Sequence, residues 1–402
     1  MEGMGDRNID KLGLALKGEE ALRSSLETEA SASIVSGTHR ADLRLAGQRG
    51  VGGLPGGFQA FDLGQGSLVH RGQQDRLGIH TVWVATDSLP DHIDFVTGAP
   101  LASGSLDVRW HHGVRPGSGG SEPQIQVHRF DEHTFVLRQS KMVSYEAPFL
   151  YLFFGNVRAV LLDTGATDDP ARCPVRETVD HLVKAWLSRH PRTAYRLVVA
   201  HTHGHRDHIA GDAQLAGRPM TTVVGKDLSA VMSFFGFTRW PDQVVQLDLG
   251  GRVLEITGTP GHHDSSISIF DPWTGFLLTG DTVYPGRLYV QDMSAFTDSL
   301  DRLTRLAESR GARAVLGAHI EMTRTPGRDY PLGTTYQPKE PALQMTVDQM
   351  RAVREAANSV ADLPGAHTFD DVIIFNGPSR AAVARQGMRR MWARLRSATA
   401  RW

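Results

Sequence analysis

Four of the chain's 18 histidines lie between residues 201 and 208, in the run His201-Thr202-His203-Gly204-His205-Arg206-Asp207-His208. Zinc and its first-row neighbours take neutral imidazole and carboxylate as donors at about 2.0–2.2 Å, and several donors must converge on each ion. A turn leaving a strand can supply several at once, because its side chains obey neither helix nor strand periodicity. The apolar stretch Leu197-Val198-Val199-Ala200 before the run reads as that strand, and Ile209-Ala210-Gly211 after it as the start of a helix. The competing reading is a solvated loop of idle histidines, which the density of the array disfavours.

Three further candidates follow apolar strands in the same way. The alternating stretch Arg252 to Thr257 leads into Gly258-Thr259-Pro260-Gly261-His262, Phe276 to Thr279 into Gly280-Asp281-Thr282, and Arg313 to Gly317 into Ala318-His319. In layered α/β folds the rim outside the strand ends is where sites assemble.

With these segments in hand, the sequence over about residues 124–335 resembles the metallo-β-lactamase-fold superfamily of metallohydrolases, with a glyoxalase II- or lactonase-like ligand set. Leu161-Leu162-Asp163-Thr164-Gly165 is similar to its first motif, the His203 to His208 run to its second, Thr259-Pro260-Gly261-His262 to its third, Gly280-Asp281 to its fourth and His319 to its fifth. The resemblance implies an α/β fold, a four-layer αββα sandwich with a dinuclear site on one edge. It further implies that His203, His205 and His262 hold one metal, that Asp207, His208 and His319 hold the other, and that Asp281 bridges them. Asp163 is then a brace for the metal loop, since ligating histidines need partners that fix their tautomer. His201 and His263 occupy no ligand slot and are read as ordinary hydrogen-bonded or exposed histidines.

Two divalent ions, most plausibly Zn²⁺ with Fe or Mn as alternatives, would be offset in part by Asp207, Asp281 and one hydroxide. A water between two ions about 3.5–4 Å apart can lose a proton near neutral pH. The expected activity is therefore hydrolysis of an ester-like bond by a metal-bridging hydroxide, in a lactone, a thioester or a related small molecule, with Asp207 as a catalytic residue that orients the water and carries a proton. The alternatives are a mononuclear iron-dependent oxygenase of the same fold, a phosphodiesterase or ribonuclease, and a metal-binding protein without turnover.

Asp281 argues against an antibiotic-degrading lactamase, because those enzymes lack that carboxylate. After it, Val283-Tyr284-Pro285-Gly286-Arg287-Leu288-Tyr289 departs from the Gly-Cys-Gly-Arg-like turn usual in the glyoxalase II and persulfide dioxygenase branches. Tyr284 has the spacing of a carbonyl-polarising tyrosine in acyl-homoserine lactonases and is a catalytic candidate on that resemblance. Arg287 and Tyr289 are candidates for gripping substrate, with Glu321 and Arg324 secondary to them.

The rest of the chain bounds the function more loosely. Its 402 residues are 40% hydrophobic with a net charge of −1, so a large core is affordable and no global attraction to nucleic acid or acidic membranes exists. The single cysteine, Cys173, excludes intrachain disulfides and reads as an inert thiol. No stretch approaches a membrane span, the first residues lack a secretory pattern, and a cytoplasmic location is expected.

Half of the 42 glycines precede residue 121. Residues 1–104 are accordingly expected to be a loosely ordered extension, with a short strand at Thr81 to Val84 and the apolar Ile93 to Val96 as exceptions, and 105–123 a linker into a metal domain at 124–340. Within that domain, Val179, Leu182, Val183, Trp186 and Leu187 share one face of a helix that crosses over between two parallel strands. Phe234, Phe235, Phe237 and Trp240 are read as core. Residues 341–402 are expected to be helical, and seven arginines between Ser379 and Trp402 leave RNA as a minor partner option.

Overall fold

A computed structural model describes residues 60–62, 67–75, 78–85, 92–96, 103–377 and 388. Contacts divide the chain into two units, Met1–Asp87 and Ser88–Trp402. Within the first unit, β1 (Ala60–Asp62), β2 (Ser67–Asp75) and β3 (Gly78–Ala85) form an antiparallel sheet, and β3 contains the strand expected at Thr81 to Val84. The rest of the segment read as a loose extension, up to residue 91, lies outside the described residues.

The second unit is built on two six-stranded sheets. The first runs in the order β4 (Ile125–Arg129), β5 (Thr134–Gln139), β6 (Phe149–Phe154), β7 (Arg158–Leu162), β8 (Arg196–Ala200), β9 (Thr221–Val223). The second comprises β10 (Val244–Asp248), β11 (Val253–Gly258), β12 (Ile267–Asp271), β13 (Phe276–Gly280), β15 (Ala314–Gly317) and β16 (Gln344–Met345). A smaller sheet pairs β14 (Arg287–Val290) with β18 (Ile373–Asn376) and β18 with β17 (Gly365–Thr368).

Period-two alternation sorts these strands into layers. Val136, Tyr151, Phe153, Val160, Leu162 and Val198 face Leu254, Ile256, Ile269, Phe276, Leu278 and Leu316, which forms the core between the two sheets. The residues between them, such as Leu137, Leu152, Phe154, Leu161 and Val199, turn outward onto Val175, Val179, Val183 and Trp186 of helix α1 (Val175–Arg189). On the far side, Phe270, Leu277 and Val315 meet α5 (Met293–Arg310) and α6 (Val347–Ser359). The order helix, sheet, sheet, helix is the four-layer αββα sandwich. α1 joins β7 to the parallel β8 as a crossover and stops before Pro191. Between β8 and β10 lie α2 (Arg206–Ile209), α3 (Asp212–Ala216) and α4 (Leu228–Phe235).

Two expectations change. Residues 105–123 are not a free linker: Leu106 and Val108 pack on the core, and Trp110 is buried in it, edge-on to Phe149 at 4.9 Å. The alternating apolar side chains of this stretch were obscured by the Gly/Ser run after it, whose residues 117–121 are exposed. Residues 341–377 are not simply helical; they hold α6 and the strands β16, β17 and β18, which complete two sheets. Ile93 and Phe95, read as exceptions to the loose extension, belong to the second unit and pack within it: the Asn156 side chain bonds both backbone groups of Ile93, and Phe95 meets Trp273 edge-on. Of the arginine tail, only Met388 is described.

The sheets are tied at one end by Arg252, which is 1% exposed. Its guanidinium donates to Asp271 Oδ2 at 2.6 Å, to the His133 carbonyl at 2.7 Å and to Thr134 Oγ1 at 2.9 Å, linking both sheets. Removing one partner of a buried ion pair strands the other charge, so Asp271→Ala should lower unfolding free energy by about 3–5 kcal/mol. Urea denaturation measures this; a loss below about 1 kcal/mol would show that the pair is not the inter-sheet tie.

Candidate metal centre

The opposite end of the sandwich is where the chemistry-bearing side chains gather. β7 and β8 are parallel, as are β13 and β15, and β11 runs in the same direction as β13 because each is antiparallel to β12. Their C-terminal ends therefore open on one rim, carrying Asp163, the His201 to His208 turn, His262, Asp281 and His319. The two sheets approach closely here. A Cβ on Gly280, whose φ is +52°, would sit 2.6 Å from Thr202, and one on Gly261 would sit 2.5 Å from the Phe296 backbone. Only glycine allows these two close approaches.

The donor atoms fall into two groups. His203 Nε2 lies 2.9 Å from His205 Nδ1 and 3.2 Å from His262 Nε2, and the latter two are 2.9 Å apart. In the second group, His208 Nε2 and His319 Nε2 are 3.4 Å apart, and Asp207 Oδ2 stands 3.5 and 3.3 Å from them. Asp281 Oδ1 is 3.5 Å from His208 Nε2 and 3.4 Å from His319 Nε2. Four donors about 2.1 Å from a common tetrahedral centre stand about 3.4 Å apart, the spacing seen in this group. Asp281 reaches both groups, its Oδ2 lying 3.6 Å from His262 Nε2. Its Oδ1 is buried without a hydrogen-bond partner, a costly condition that a cation between the donors removes.

Three of the five rings are aimed by a partner on the nitrogen that faces away from the donors. Asp163 Oδ2 takes His208 Nδ1 at 2.8 Å, the Tyr289 carbonyl takes His262 Nδ1 at 2.7 Å, and the Glu146 carbonyl takes His319 Nδ1 at 3.0 Å. These contacts hold a proton on Nδ1 and turn Nε2 toward the group. Asp163 is fully buried at φ +67°, and its Oδ1 also accepts from the Thr202 backbone at 2.7 Å. It holds Thr202 and His208 of the histidine turn from behind.

Burial pushes the His203 ring well down, and burial with the neighbouring His262 and His263 lowers His205 to about 4, so these two rings are neutral. The second group is the reverse. Burial opposes charge there, yet Asp281 and Asp207 outweigh it and raise His319 to about 9, while Asp207, Asp163 and Asp281 hold His208 well above its ordinary value. Burial also opposes the charged carboxylates, but His208 and His319 keep Asp207 and Asp281 well below the usual range. Negative charge concentrated among neutralisable rings is the electrostatics of a cation site.

The remaining candidates stand apart from the donors. Tyr284 presents its ring to His319 at 5.5 Å, but its buried hydroxyl donates to the Arg287 carbonyl and lies 3.2 Å from Glu321, away from the donor groups. Arg287 is 2% exposed and is held by Glu321, by Asp329 at 2.9 Å and by the Tyr330 carbonyl at 2.8 Å, so its guanidinium is engaged internally. Tyr289 contributes its carbonyl to His262 and stacks its ring on Phe375 at 4.8 Å. Arg324 bonds the Glu340 carbonyl. His201 pairs with Asp212 at 2.8 Å, and His263 accepts from the Ser265 backbone. Phe235 and Phe237 are core, whereas Phe234 is exposed. The Glu146 and Tyr289 carbonyls were missed in the sequence, since backbone acceptors have no side-chain signature.

Comparison with known proteins fits this geometry. The profile of the metallo-β-lactamase superfamily matches residues 149–319. A hydroxyacylglutathione hydrolase of Idiomarina loihiensis is 29% identical over 176 residues, covering 43% of this chain and 64% of that protein. One from Synechococcus sp. (strain JA-3-3Ab) is 29% identical over 213 residues, 50% of this chain and 79% of its own length. The solved metallo-β-lactamase from Pontibacter korlensis aligns with 49% of this chain and 91% of its own at 19% identity and a TM-score of 0.35. The departure at Val283 to Tyr289 thus does not separate the chain from hydroxyacylglutathione hydrolases in overall similarity.

Asp163→Asn isolates the role of the brace. Asparagine tolerates a positive φ and keeps an acceptor for Thr202, but its amide group would face His208 Nδ1 and drive the proton to Nε2. The affinity of the second donor group for zinc should fall about 10–100-fold with the first unchanged, as read by competition with a chromophoric chelator. Two unchanged affinities would remove Asp163 from that role.

Proposed function

We propose that this chain, whose residues 149–319 match the metallo-β-lactamase superfamily, is a hydrolase that works with two divalent cations on an ester-like carbonyl, a thioester foremost. The observation that carries this reading is the pair of donor groups joined by Asp281. His203, His205 and His262 would hold one cation, Asp207, His208 and His319 the other, and Asp281 both. Nitrogen and carboxylate donors at four-coordinate spacing suit zinc best. When bound, such a pair lowers the pKa of a water toward about 7 and polarises the substrate carbonyl.

The chain's own side chains set direction and proton traffic. His205 and Asp207 are the part-exposed members of the two groups, and the other five donors are buried. Substrate therefore approaches past His205 and Asp207. Asp207, part-exposed beside the centre, is placed to orient the attacking water and to return a proton to the departing sulfur or oxygen. The thioester preference draws support from the hydroxyacylglutathione hydrolases to which the chain is similar. A mononuclear iron oxygenase would use one donor group and leave the other without a purpose. The RNA alternative leaned on the arginine tail, which apart from Met388 lies outside the described residues. No described helix is long and apolar enough to cross a membrane.

Purified with zinc, the chain should hold about two equivalents and hydrolyse acyl thioesters, and chelation should abolish turnover. Asp207→Asn should lower kcat by about 10²–10⁴-fold. Equal rates from the variant and the parent, or oxygen uptake with bound iron, would overturn the proposal. Because its hydroxyl is committed elsewhere, Tyr284→Phe should keep kcat within about threefold while losing about 1 kcal/mol of stability. A hundredfold fall in kcat would instead restore the tyrosine to the catalytic role suggested by its spacing.

A further inference from the structure

Beneath the turn that joins β5 to β6 lie three charged side chains that the hydrolytic reading leaves unused. Arg138, Lys141 and Glu340 are 0%, 1% and 8% exposed. The Glu340 carboxylate accepts from both terminal nitrogens of Arg138, at 2.6 and 2.8 Å, and stands 3.3 Å from Lys141 Nζ. Arg138 already neutralises Glu340 in a two-pronged pair, so Lys141 is a second buried cation that this carboxylate does not require. Burying it is costly, and desolvation pushes the ammonium down to about 8 despite Glu340. A group retained at that cost is one to examine for what it holds.

It holds the backbone behind His319. Lys141 Nζ donates to the Tyr145 carbonyl at 3.2 Å, and the next carbonyl, that of Glu146, is the acceptor for His319 Nδ1. The residue after that, Ala147, is fully buried at φ +44°, a left-handed conformation that costs an alanine about 1 kcal/mol or more and persists only where its surroundings enforce it. The turn's own bonds, from Val143 and Ser144 to the Ser140 carbonyl and from Ala147 to that of Ser144, do not involve the 145 and 146 carbonyls. Lys141 on Tyr145 and His319 on Glu146 are what engage them.

We propose that Lys141 is a positioning residue for the second cation position, acting through the Tyr145–Glu146 backbone to keep the His319 Nε2 lone pair directed at Asp207, His208 and Asp281. The inference rests on the two-cation reading. It assigns the buried ion cluster to metal retention at one position only, because none of its hydrogen bonds reaches His203, His205 or His262.

The test uses the full chain and zinc or cobalt alone. Competitive chelator titration of Lys141→Met, which keeps length but removes charge and donor, should show the first equivalent at parental affinity and the second weakened about 10-fold or more. The cobalt spectrum should change for the second equivalent only, and Lys141→Arg, which retains a charged donor, should recover most of the loss. Should Lys141→Met not fold, Lys141→Gln serves, since its amide ends one bond short of the Tyr145 carbonyl; the same selective weakening is expected. Parental affinity and spectrum at both positions in the folded variant, or equal weakening of both, would overturn the inference while leaving the two-cation reading intact. A parent chain that binds one equivalent or none would remove the two-cation reading itself.

Discussion

The arrangement rests on lone pairs held at one another's faces. Seven imidazole and carboxylate donors are brought within contact of each other at a single rim, and like-pole contacts such as His203 Nε2 against His262 Nε2 at 3.2 Å repel unless a proton or a cation lies between them. The fold supplies the force that opposes this repulsion. Strands β7, β8, β11, β13 and β15 are buried almost throughout, and their packed faces fix where each terminal loop must emerge.

The centre is asymmetric in its support. The first triad carries no carboxylate of its own apart from the reach of Asp281, and burial keeps His203 and His205 neutral. The second is rich in negative charge and leans on a layer of acceptors: Asp163 behind His208 and the Glu146 carbonyl behind His319. Behind that layer lie two ion clusters, Arg287 with Glu321 and Asp329, and Arg138 and Lys141 with Glu340. Both are drawn from segments far apart in sequence, so the geometry of the rim depends on the completeness of the whole sandwich.

Much of this was legible in the sequence because it is carried by side-chain type and local position. The His203 to His208 run, and a Gly-bounded histidine or aspartate after each apolar strand, announce donors without reference to the rest of the fold. The period-two runs at β5 to β8 and the face of α1 announce the layers. What escaped was direction. Spacing puts Tyr284 beside Asp281, yet it says nothing of which way the phenol turns, and a packed carboxylate, Glu321, arrives from 37 residues away to receive it. The Arg287 side chain likewise turns to internal carboxylates, which its spacing did not show. The segment 105–113 was hidden by the glycines that follow it, although Trp110 among spaced apolar residues marked a chain bound to the core.

The most direct test of the account is anomalous diffraction at the zinc edge from crystals grown with zinc. The expected result is two peaks about 3.5–4 Å apart, one among His203, His205 and His262 and one among Asp207, His208 and His319, with Asp281 between them. A single peak, or two that do not share Asp281, would contradict it.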